Sequence, residues 1–143
     1  MKTNSLFFVL IFSCIICSSC KEEPSAEELA QSAFLKRLEG DWTLRSAELD
    51  GSTVSGAFPG LIVTITRKGL MEVVGDVGNI WPSESSFDLL KDGDSYDLLR
   101  DDDLILDVVD LNDDQLVISM TFQTAPGGRM MSVPGAYTFV FER

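Results

Sequence analysis

The side chains in this chain with the most evident capacity for chemistry are clustered carboxylates. Residues 92–97, Asp-Gly-Asp-Ser-Tyr-Asp, space three carboxylates as a calcium loop could, and three consecutive aspartates follow at 101–103. The first run lacks the later glycine and the closing glutamate of an EF-hand loop. Aspartate beside glycine is also the usual composition of a tight turn. We therefore predict that both runs are solvated acidic turns and that the chain has no metal site.

The overall charge and the absence of histidine restrict the function further. The chain has no His, and 23 acidic residues against 11 basic ones give a net charge of −12. Without histidine, the usual serine and cysteine triads cannot form, and the commonest general base and metal ligand are missing. Carboxylate pairs for glycoside hydrolysis stay open because Asp and Glu are plentiful, although no pattern marks one pair. We predict no enzyme activity, no catalytic residue, no cofactor and, from the acidic surface, no nucleic-acid partner.

The N-terminus has the pattern of an export signal. Lys2 precedes an apolar run at residues 6–16, which is too short to cross a hydrocarbon core about 30 Å thick. Two serines then stand directly before Cys20. This arrangement resembles the lipobox of bacterial lipoproteins, and the resemblance implies cleavage before Cys20 and lipid attachment to it. We therefore divide the chain into a signal peptide at 1–19, a lipidated tether at 20–25 and a folded domain at 26–143.

A lipid on Cys20 implies that the membrane is a partner and that the protein lies in the cell envelope, anchored to the outer membrane. Residues 21–23, Lys-Glu-Glu, resemble the surface-export signal of Bacteroidota lipoproteins, but a solvated tether explains them equally well. Periplasmic and cell-surface facing both stay open. All three cysteines, Cys14, Cys17 and Cys20, precede the domain, so we expect it to lack a disulfide.

Two kinds of periodicity describe the domain. Ser25 and Glu28 form a capping-box pattern that predicts a helix over 26–39, with Gly40 as its stop and Leu29, Ala30, Ala33, Phe34 and Leu38 as its apolar stripe. Apolar residues then alternate with polar ones, which is typical of strands with one buried face. Eight strands are predicted near 41–49, 61–67, 70–75, 84–91, 95–100, 104–110, 115–123 and 135–142. The first needs a bulge near Arg45-Ser46. Asp50-Gly51 and Asp92-Gly93 are hairpin signals.

The strand pattern predicts an all-β fold, an eight-stranded antiparallel up-and-down barrel after one short helix. Gly40-Asp41-Trp42 at the head of the meander resembles the lipocalin opening, and the stretch from Leu38 to Arg143 is similar to small lipocalin-like lipoproteins of Bacteroidota. The resemblance implies that Trp42 closes one end of the barrel and that an arginine packs across it, with Arg143 as the nearest candidate. The predicted inward residues are bulky, which favours a small pocket or none: Phe87, Leu89, Tyr96, Leu98, Leu106, Met120, Phe122, Tyr137, Phe139 and Phe141.

Two functions follow as hypotheses. The first is a lipid-anchored, lipocalin-like module that binds a small apolar or amphipathic ligand, and the alternative is a filled barrel that acts as a surface-interaction or structural lipoprotein. Trp81, before Pro82, is either a stacking platform for a sugar or a plug at a barrel end. Met130 and Met131, in a loop rich in glycine and proline, either face the barrel mouth or pack on it. The sequence identifies no ligand-binding residue and no protein partner.

Overall fold

The computed structural model describes residues 23–75, 80–123 and 133–143. The predicted signal peptide, Cys20 and the Met130-Met131 pair lie outside these ranges. The elements are a helix α1 (Ala26–Leu38), a single 3-10 turn (Ser55–Ala57) and strands β1 (Gly40–Leu49), β2 (Ser52–Thr53), β3 (Ile62–Ile65), β4 (Leu70–Val74), β5 (Glu84–Asp92), β6 (Ser95–Arg100), β7 (Ile105–Leu111), β8 (Gln115–Phe122) and β9 (Gly135–Glu142). Within the described ranges, no helix is long and apolar enough to cross a membrane.

The strands form a closed antiparallel barrel, as predicted. From β3 to β9 each strand pairs with the next along the chain, β1 pairs with β3, and β9 returns to pair with β1. The predicted bulge is also present, because the β1–β9 register shifts between Leu44 and Ser46. The shift lets both Trp42 and Ala47 face the interior, where each is completely buried. Closure removes exposed sheet edges, which an alternating sequence alone does not guarantee.

A short additional strand, β2, was not predicted. The Asp50-Gly51 turn has positive φ at both residues, +49° and +77°, and folds the chain back on β1 so that Leu49 pairs with Ser52. This is the geometry of the tight hairpin that the Asp-Gly signal predicts. The strand is two residues long and both are exposed, so it has no alternation of burial to detect.

Helix α1 begins as predicted and packs differently from the prediction. Ser25 Oγ accepts from the Glu28 N–H and Glu28 accepts from the Ser25 N–H, which completes the capping box. The helix ends at Leu38, one residue early, and Gly40 begins β1 with φ +138° instead of adopting the left-handed helical conformation of a stop. The predicted stripe is wrong at Leu29, Ala30 and Ala33, which are all exposed, Leu29 by 57%. The helix contacts the core through Phe34, Leu35 and Leu38, on its second half.

Candidate functional site

We call the two ends of the barrel the base, where β1 begins at Gly40 and β9 ends at Glu142, and the upper end, where β1 ends at Leu49 and β9 begins at Gly135. Trp42 is completely buried at the base, and its indole Nε1 donates to the Leu38 carbonyl at 2.8 Å. The guanidinium of Arg143 lies 4.3 Å from the centre of the Trp42 ring, a cation–π distance. The expected pairing of these two residues is therefore confirmed.

Several contacts fasten α1 across the base. Arg143 Nη2 donates to the carbonyls of Arg37 and Glu39, at 2.6 and 2.7 Å. The Phe34 ring packs 5.3 Å from that of Tyr96, and Arg37 donates to the Leu111 carbonyl. These contacts close the base of the barrel.

The described interior is filled by aromatic side chains. Phe139 is central: its ring lies 5.1 Å from that of Phe58 and 5.2 Å from that of Trp81, in edge-to-face contacts. Trp81 also meets Phe141 edge-to-face at 5.7 Å. Trp81 is completely buried, so neither face of its ring is free to stack on a sugar, and that hypothesis is wrong. The residue is a plug, as the alternative predicted, and it comes from the β4–β5 connection instead of a wall strand.

The predicted inward residues lie where the alternation placed them. Eight of the ten are buried, and the other two, Leu89 and Phe122, are partly buried against the core. The expectation of a small pocket or none therefore fits the described interior. Open clefts outside the wall include one of about 390 Å³ between α1 and β7 and one of about 490 Å³ between α1 and the β3–β4 turn.

Two polar side chains, together with the indole N–H of Trp81, are buried among these apolar ones, and the burial of the two polar residues was not predicted. Arg100, at the end of β6, is 1% exposed, and Ser85, on β5, is 4% exposed. The indole N–H of Trp81 and the hydroxyl of Ser85 have no hydrogen-bond partner among the described residues. The sequence did carry a signal for Arg100, because it continues the inward series of Tyr96 and Leu98 by one step.

The Arg100 guanidinium is well satisfied. Nε and Nη2 donate to the two oxygens of Asp102 at 2.8 and 2.6 Å, and Nη1 donates to the Ile80 carbonyl at 2.7 Å. The hydrogen bonds from Arg100 lower the pKa of the Asp102 carboxyl below its usual range. This arginine therefore ties the β6–β7 turn to the connection that carries Trp81.

Carboxylates of the acidic runs accept hydrogen bonds from neighbouring strands. Asp97 Oδ1 accepts from the Val108 N–H at 3.0 Å, where β6 and β7 no longer pair directly, and Asp101 accepts from the N–H and the hydroxyl of Ser86. Burial, with Asp97 and Asp92 nearby, raises the pKa of Asp107. No three carboxylates in the described ranges are grouped closely enough to hold a metal ion. The interpretation as turns and strand ends agrees with these contacts.

The comparisons with known proteins leave the fold as the main guide to function. No protein family, curated protein or solved structure matches this chain. The architecture is an eight-stranded antiparallel up-and-down barrel with a helix across its base, which is consistent with a lipocalin-like fold. A fold of this kind hosts unrelated functions, so the function must be argued from the interior and its polar groups.

Proposed function

We propose that this protein is a lipid-anchored, lipocalin-like protein of the bacterial outer membrane that binds one small amphipathic molecule inside its barrel. The observation that carries the binding proposal is the aromatic lining of the upper half of the interior, above a closed base. The base is closed by α1, Trp42 and Arg143, while the upper interior is lined by aromatic rings such as Phe58 and Tyr137. Aromatic walls with few polar groups are typical of small-molecule sites.

The filled interior sets a condition on this function. Because protein interiors are close-packed, a ligand must be small or must displace a side chain. Trp81 is carried by a connection and not by a wall strand, but Arg100 holds the Ile80 carbonyl beside it, so the side chain of Trp81 and not its backbone would move. Such movement would exchange the edge-to-face contacts of Trp81 with Phe139 and Phe141 for contacts with the ligand.

A second function is favoured by the same filled interior. A barrel that binds no small molecule would act through its surface, where the open cleft between α1 and β7 is lined by Phe34, Tyr96 and Val108. Native mass spectrometry separates the two functions. Every strand pairing lies within 40–142, so residues 23–143 suffice for this experiment. A co-purifying small molecule supports the ligand-binding function, and consistently bare protein from several preparations supports the surface function.

The anchor is tested separately in the full chain. Cys20→Ala removes the thiol that would carry the lipid. We therefore expect incorporation of a labelled fatty acid to fall to background, and we expect the lipidated, membrane-bound form of the protein to be lost. Cys17→Ala is the matched control and should be labelled like the wild type. Labelling that persists in Cys20→Ala would refute the assignment of the anchor to this residue.

A further inference from the structure

Two of the buried polar groups, those of Ser85 and Arg100, are brought together by the topology of β5 and β6. Phe87 on β5 pairs directly with Arg100 on β6, and Ser85 is the next inward position along β5 from Phe87. Diagonal neighbours on one face of a sheet are within about 7–8 Å of each other. Arg100 also donates to the Ile80 carbonyl, which fixes the residue that precedes Trp81 at the same end of the barrel. Ser85 and Arg100 are therefore neighbours on the inner face of the sheet, and Trp81 follows the residue that Arg100 holds.

The chemistry of this region is almost entirely that of hydrogen-bond donors. Tryptophan and arginine side chains donate only, and serine can donate or accept. The Trp81 N–H and the Ser85 hydroxyl are both buried without a partner among the described residues, which is costly in an apolar interior. A bound molecule with a hydrogen-bond acceptor would give each of these two groups a partner. The charge of Arg100 is already balanced by Asp102, so the region does not call for a second anion.

We propose that Trp81 and Ser85 form the head-group site for the ligand of the barrel, and that this head group is an uncharged hydrogen-bond acceptor such as a carbonyl oxygen. The inference rests on the proposed ligand-binding function and specifies the class of ligand. An anionic head would be buried beside a guanidinium that is already paired, and a cationic head would face donors only. The apolar part of the ligand packs on the rings of Phe58 and Phe139.

The test compares three eight-carbon probes on residues 23–143 by isothermal titration: 2-octanone, octanoate and octylammonium. The excess of acidic over basic residues favours the cation at long range, whereas the proposed site favours the ketone. We expect 2-octanone to bind most tightly. Trp81→Phe and Ser85→Ala should each weaken its binding roughly tenfold, because each leaves the bound carbonyl short of a donor.

Trp42→Phe is the matched control for Trp81→Phe. Both tryptophans are completely buried and lose the same volume, but the Trp42 N–H has a partner in the protein and the Trp81 N–H has none within the described ranges. Trp81→Phe should therefore lose less stability than Trp42→Phe while losing more affinity for 2-octanone. The Ser85→Ala protein, which loses an unpartnered hydroxyl, should be at least as stable as the wild type.

The possible failures are distinguishable. If none of the probes binds the wild-type protein, the proposed ligand-binding function fails and the head-group site fails with it. If the probes bind with equal affinity, or if Trp81→Phe and Ser85→Ala bind 2-octanone as the wild type does, the barrel binds apolar molecules and the head-group site alone is wrong. A stability loss for Trp81→Phe as large as that for Trp42→Phe would show that the Trp81 N–H is already bonded. That result would also refute the proposed head-group site.

Discussion

Asp102→Asn tests how much the buried Arg100 depends on its carboxylate partner. The Arg100 side chain is 0% exposed and that of Asp102 is 49% exposed. Breaking a fully buried pair costs about 3–5 kcal/mol, but water can screen and partly replace a half-exposed carboxylate. An asparagine keeps one acceptor oxygen and turns an amide N–H₂ toward the guanidinium. We therefore expect the free energy of unfolding to fall by about 2 kcal/mol at pH 7.

Urea unfolding of the wild type, Asp102→Asn and a matched control, Asp88→Asn, measures this difference. Asp88 is exposed, and its carboxylate makes no hydrogen bond or ion pair among the described residues, so its substitution should change stability by less than about 0.5 kcal/mol. A loss for Asp102→Asn no greater than that for Asp88→Asn would refute the claim that Arg100 depends on Asp102.

The same pair predicts a pH dependence with a definite sign. The pKa of Asp102 is lowered from its ordinary value of 3.8 in the folded protein, mainly by its hydrogen bonds with Arg100. Its contribution to stability is therefore fully present above about pH 5 and is lost as the pH falls through the lowered folded pKa. The gap between wild type and Asp102→Asn should be constant from pH 7 to 5 and should narrow below pH 4. A gap that widens in acid contradicts the assignment.

The remaining predictions concern the base and one tight turn. Arg143→Met should cost about 1–2 kcal/mol in urea unfolding, because it removes the cation over the Trp42 ring and two carbonyl hydrogen bonds, and Arg143→Lys should recover only part of this. Gly69→Ala should destabilise more than Gly51→Ala. Both glycines have φ near +76°, but a Cβ at Gly69 would lie 2.6 Å from the Phe87 carbonyl oxygen, whereas one at Gly51 would meet nothing within 4 Å. Equal melting temperatures for these two variants would contradict the steric reasoning.

Much of the fold was predictable because alternation at period two and turn chemistry agree along the chain. The bulge near Arg45 followed from one residue too many between Trp42 and Ala47, and closure followed from aromatic strands at both ends. The features that were not predicted are local ones. The strand β2 spans a single period and both its residues are exposed, and the face of α1 that contacts the barrel is decided by Phe34 and Leu35 meeting the base.

The polar interior was harder to predict for a different reason. Arginine is among the residues least often buried. The charge of Arg100 therefore argued against an inward position, although the alternation along β6 indicated one. Its burial depends on Asp102, two residues later and outside the strand, and on the Ile80 carbonyl twenty positions earlier. Such partners are close in space only after the barrel closes, and the periodicity of a single strand does not contain them.

The position of α1 has a consequence for the orientation of the protein at the membrane. If Cys20 carries the lipid, the tether at 20–25 reaches at most about 20 Å when extended. The start of the helix also lies on the base side, where Glu27 pairs with Lys91 near the β5–β6 hairpin. The base would then face the bilayer, and the upper end of the barrel would face the aqueous compartment.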